Sequence, residues 1–127
     1  MAVIINNREV NLSSAQTGNG QSTNIADRMQ PETFVQSRGP AMLVITTTIG
    51  ATPTCTYAVE GSADGSNWWA LQYADSATPG TVVTTTFAIT TATTKQVIIQ
   101  PNQPFKQLRI TYSANTNVTN TANVYFF

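Results

Sequence analysis

The stretch Phe105-Lys106-Gln107-Leu108-Arg109-Ile110-Thr111-Tyr112-Ser113 alternates residue by residue. Leu108, Ile110 and Tyr112 fall on one side, with Lys106 at the strand's edge; Gln107, Arg109, Thr111 and Ser113 fall on the other. A period of two is the mark of a half-buried β-strand, because successive side chains leave opposite faces of the backbone. The apolar set is therefore expected in a core. Working outward, Cys55, Tyr57 and Val59 repeat the pattern, as do Val83, Phe87 and Ile89 against Thr84 and Thr86. Leu43 and Ile45 oppose Met42 and Val44, which predicts a strand covered on both faces.

Strands are expected over residues 33–36, 41–48, 54–60, 68–73, 81–90, 95–100, 105–113 and 121–127, with one more near the N-terminus around the apolar run Val3-Ile4-Ile5. Between them stand Arg38-Gly39-Pro40, Gly50 to Pro53, Asp64-Gly65, Pro79-Gly80 and Pro101 to Pro104, all turn chemistry. Even spacing without helical patterns predicts an all-β protein, an antiparallel β-sandwich (jelly-roll or immunoglobulin-like) of about eight or nine strands. Residues 1–32 read as an N-terminal strand and an extended polar arm or loop, and residues 33–127 as the β-sandwich domain. Within the arm only Leu12, Ile25 and Met29 are candidate anchors on a partner, and a short helix capped by Asn24 is expected near residues 24–30. Such an arm is expected to order on contact and to be dispensable for folding of the sandwich.

Composition narrows the function. Of 127 residues, 22 are Thr, 11 Asn, 9 Gln and 8 Ser, whereas only 9% are charged; an ordinary soluble domain carries about 25%. Six basic and six acidic side chains cancel to zero net charge, and the basic ones are scattered, so the basic stripe of a nucleic-acid binder is missing. No apolar run approaches the ~20 residues of a membrane span, and the N-terminus lacks the basic and long apolar regions of a signal peptide, which predicts cytoplasmic synthesis.

There is no histidine, so no Ser-His-Asp triad or His-ligated zinc is available. The single cysteine, Cys55, reads as a small buried hydrophobe. Glu60, Asp64 and Asp75 are the mid-chain carboxylates, but nothing in their spacing sets up a catalytic pair or a calcium loop. The chain is expected to be no enzyme, with no cofactor and no metal.

Interaction residues are easier to nominate. Trp68 and Trp69 follow an Asp-Gly turn and, on a strand, point to opposite faces; one is expected as a core anchor and the other at an interface. The C-terminal Val124-Tyr125-Phe126-Phe127 is apolar throughout, an aggregation hazard unless it is an internal strand or covered by a partner. Tyr125, Phe126 and Phe127 therefore join Trp68, Trp69, Leu12, Ile25 and Met29 as candidate interface residues. The Thr-rich tract from Thr81 to Thr94 is expected as a flat sheet facing solvent or a partner.

The unit from Tyr57 to Leu71, with Glu60-Gly61-Ser62-Ala63-Asp64-Gly65-Ser66-Asn67-Trp68 at its centre, resembles one found in small β-sandwich virion proteins of tailed bacteriophages. Phe105-Lys106-Gln107-Leu108-Arg109-Ile110 is similar to a later strand of the same group, and the resemblance covers roughly residues 41–127. Within that group the size fits a head decoration, or cement, protein. The resemblance implies binding to the major capsid protein at the capsid surface of the virion, as a homotrimer, without nucleic acid or membrane. Two alternatives are a carbohydrate- or receptor-binding module of a tail or fibre, with an exposed Trp as platform, and a small capsid coat protein.

Overall fold

The computed structural model describes residues 8–30, 35–36 and 40–127. The run at residues 3–5 and the first half of the expected strand at 33–36 lie outside the described residues. In chain order the strands are β1 (Arg8–Gln16), β2 (Gly20–Gln21), β3 (Ala26–Asp27), β4 (Met29–Gln30), β5 (Val35–Gln36), β6 (Ala41–Ser62), β7 (Trp69–Ala70), β8 (Tyr73–Asp75), β9 (Val82–Val83), β10 (Phe87–Ile89), β11 (Thr94–Ile99) and β12 (Gln107–Phe126). All pairing is antiparallel, as expected. Strands β4 and β5 pair with each other; the other ten form one sheet.

Two long strands organise that sheet. β6 and β12 pair from Gln107↔Ser62 to Phe126↔Ala41, so the strands expected at 41–48 and 54–60 are one, as are those at 105–113 and 121–127. The turn signal at Gly50 to Pro53 and the polar stretch 113–117 facing it do not reverse the chain. They mark register shifts between Ser113 and Val118, where Thr52, Ala114 and Asn117 take positive φ. Bulges of this kind bend a paired ribbon without ending it.

The bend folds the sheet over itself. Tyr112 pairs with Tyr57, and Asn120 stands eight residues further along β12. On a straight strand that separation is about 26 Å, yet the Tyr57 Oη donates to the Asn120 Oδ1 at 2.5 Å. Ser13 Oγ, on β1 opposite Ala122, likewise meets the Tyr112 Oη at 2.8 Å. One half of the ribbon carries β1 on β12 and β11, β8 and β9 beside β6; the other carries β2 and β3 on β12 and β7 and β10 on β6. Between the halves lies one core, with Leu43, Ile45, Cys55, Tyr57, Leu108, Ile110, Tyr112, Val124 and Phe126 essentially inaccessible. Cys55, Tyr57 and Val59 and Leu108, Ile110 and Tyr112 are found there in full; of the third set only Ile89 enters, with Val83 and Phe87 partly buried against it. Met42 and Val44, opposite Leu43 and Ile45, are half-buried.

The N-terminal segment differs from its sequence reading. Residues 8–28 lie along β12 in place of a free arm: β1 pairs with its second half, β2 and β3 with its first. Leu12 and Ala26 are fully buried. No helix forms at 24–30, because Ser22, Asn24 and Arg28 give their N–H groups to Ile110, Leu12 and Lys106 carbonyls. Arg28 is 95% buried, donates to the Gln103 carbonyl at 3.0 Å, and lies 4.3 Å over the Phe105 ring. A cation held in this way clamps the loop before β12 to the N-terminal segment.

Candidate interaction surface

The face turned away from the core on the second half of the ribbon is built by the same alternation that buries Leu108 and Ile110. Arg109 on β12 stands directly across from Glu60 on β6, both outward. The Arg109 Nε donates to Glu60 Oε1 at 2.9 Å, and the Thr111 hydroxyl donates to the same oxygen at 2.6 Å. The guanidinium sits 4.1 Å over the Trp68 ring. Such a contact is worth roughly 0.5–2 kcal/mol depending on desolvation, and the ion pair beneath it is largely buried, its side chains 14% and 23% exposed.

The turn ahead of Trp68 is held rigidly. Asp64 Oδ1 accepts the N–H groups of Ser66 and Asn67, each at 2.8 Å, and Oδ2 accepts from the Asn67 side chain at 2.7 Å. The Asn67 N–H, followed by that of Ser66, holds the Asp64 carboxyl well below the usual range. Gly65 has φ +78°, and a Cβ there would meet Gln107 Oε1 at 2.8 Å. Asp64 is thus a turn residue, as its place before Gly65 suggested.

The nominated residues divide. Neither tryptophan anchors the core, contrary to expectation: Trp68 lies half-buried under Arg109, and Trp69 is 37% exposed. Leu71 and Tyr73 take the inward positions from this hairpin, because Leu71 needs the space over Gly61. Leu12 and Phe126 are core residues and cannot meet a partner. The C-terminal stretch is an internal strand between β1 and β6, with Tyr125 half-buried and Phe127 exposed. Ile25 is exposed, one residue before the buried Ala26 that pairs with Leu108. The Met29 side chain lies outside the described residues. Arg109 and Trp68 thus stand together on the outward face, whereas Trp69, paired with Gly61 across from Leu108, leaves its strand on the opposite side. Arg109 and Glu60 were visible in the sequence as the polar side of alternating strands, but their pairing across the ladder was not.

No protein-family model matches the chain, and no curated protein matches it in sequence. Among solved structures it is similar to the crystal structure of the SPBc2 prophage-derived protein YomS, with a TM-score of 0.66 covering 100% of this chain and 99% of that one. The two share a fold. Identity with YomS is 8%, so the likeness is one of backbone path.

Proposed function

We propose that this chain is a structural virion protein of a phage, a head decoration or cement protein that binds the major capsid protein shell from outside and stabilises it. In this reading it is made in the host cytoplasm and sits on the capsid surface as a homotrimer. The observation that carries the reading is the full-length likeness in fold to YomS, a prophage-derived protein. The outward pair of Arg109 and Trp68 supports it, since tryptophan and arginine are the residue types on which binding energy concentrates. A chain with 9% charged residues also brings few charges to be desolvated when it packs on a shell.

The test is the particle. Purified virions of the encoding phage, separated into heads and tails, are expected to carry the chain with the heads at a fixed ratio to the major capsid protein. Its absence from purified particles overturns the virion reading, and its recovery only with tails overturns the head assignment. Light scattering of the free protein is expected to give three times 13.7 kDa.

A further inference from the structure

The Thr-rich tract, expected as a flat sheet, instead walls a cavity. β9 and β10 are short and separated, and the chain between them turns around Tyr73, whose Oη donates to the Thr85 carbonyl at 2.5 Å. β8 and β9 belong to one half of the folded sheet, whereas β10 pairs with β6 on the other. Where the halves part, an open cavity of about 250 Å³ remains, with Tyr73, Asp75, Val83, Thr86, Phe87 and Lys95 in its lining.

Its floor is aromatic and fixed. Phe87 stacks on Tyr57 at 5.0 Å between centroids and meets Tyr73 edge-on at 5.7 Å. The Lys95 ammonium stands 5.4 Å from the Phe87 centroid and is ion-paired with Asp75. Asp75 is further fixed by the Ala77 N–H at 2.9 Å. Threonines 78, 81, 85 and 86 complete the rim.

We propose that this cavity binds one neutral pyranose ring, its C–H groups against the apolar lining of Val83 and Phe87 and its hydroxyls on the Asp75–Lys95 pair and the threonine rim. The inference is independent of the particle reading. The volume falls below the roughly 300–1,000 Å³ of drug-sized sites and suits a single ring. One acceptor and one donor of opposite charge, side by side, match neighbouring hydroxyls that each donate and accept. The pair's charges cancel, so the site has no net pull on a phosphate or carboxylate. A purely apolar guest would strip water from the pair and the hydroxyls without replacing it.

The experiment is a two-dimensional amide NMR titration of the full chain with neutral hexoses, N-acetylhexosamines, deoxyhexoses and pentoses, up to roughly 50 mM, far enough to saturate a millimolar site. Phosphate and phenol serve as the charged and apolar comparisons. Saturable shifts confined to residues 73–95 are expected from at least one sugar. Asp75→Ala and Thr86→Val, both at the rim, are expected to weaken them by about tenfold while the rest of the spectrum holds. Trp69→Ala is expected to leave them unchanged. No sugar shifting these residues overturns the proposal, as do shifts centred on Trp68 and Trp69, equal binding by the rim variants, or saturation by phenol or phosphate alone.

Discussion

Asn120 is the side chain on which the two halves of the sheet meet. It is fully buried, accepts from Tyr57 at 2.5 Å and gives its amide to the Cys55 sulfur at 3.8 Å. A buried acceptor deprived of its donor keeps its desolvation cost, so Tyr57→Phe is expected to lose about 1–3 kcal/mol, read as a lower urea midpoint at unchanged slope. The same burial makes the protein sensitive to base. Desolvation pushes the Tyr112 hydroxyl up to about 12 and the Tyr57 hydroxyl further, with the neighbouring Cys55 adding to the latter. An unfolded tyrosine ionises near 10. Because the folded values are raised, their contribution to stability is whole below pH ~10 and is lost as pH climbs through ~12 and beyond. Thermal melts are expected to hold to about pH 10 and then fall steeply, with tyrosinate absorbance rising in step with unfolding. A tyrosinate signal that saturates near pH 10 with the fold intact would contradict the burial of both rings.

At the scale of the element, the bend in the β6–β12 ribbon decides the fold, and its chemistry explains what the sequence hides. Faces were legible: Cys55, Tyr57 and Val59, and Leu108, Ile110 and Tyr112, are all buried as their alternation requires. Continuity was not, because Gly50, Pro53 and Asn117 suit a bulge as well as a reversal. Only the partner strand, some sixty residues away, distinguishes the two. The tryptophans were misread for a related reason: their size argues for a core, and the arginine that covers Trp68 lies on another strand. The bend also stores strain. Thr52 is β-branched and sits exposed at φ 45°, a conformation that costs an L-residue about 1–2 kcal/mol. Thr52→Gly is expected to stabilise by about 0.5–1 kcal/mol after glycine's greater unfolded freedom is subtracted. Asn117→Gly is not, because the Asn117 amide donates to the Ala51 carbonyl at 2.6 Å. The reverse case is Gly61, where a Cβ would lie 2.7 Å from Leu71 Cδ2 and 2.9 Å from Phe105 Cβ. Gly61→Ala is expected to cost about 1–3 kcal/mol by overpacking, seen in the same urea series.

For the whole molecule, the order of pairing sets how it can fold and what can be removed. β12 is made after every other described strand, yet β1, β2, β3 and β6 all pair with it. Until it leaves the ribosome β1 has no partner, Leu12 has no core to enter, and Ser13 has no Tyr112 to bind. Contacts this distant in sequence put the chain at the slow end of single-domain folding, where relaxation takes milliseconds to seconds or longer. The N-terminal segment is then structural. A chain lacking residues 1–28 exposes the outer edge of β12 along both halves and leaves Leu12 and Ala26 out of the core. It also frees the 101–106 loop from the Arg28 clamp. Apolar burial lost with Leu12 alone is about 1.5–3 kcal/mol, against a total stability of roughly 5–15 kcal/mol for a domain. An open central edge adds a template for association with other chains. The truncated protein is therefore expected to lose its cooperative thermal transition and to aggregate, followed by circular dichroism and light scattering. A soluble, sharply melting 29–127 fragment would instead restore the N-terminal segment as a free arm, available to reach a partner on the shell.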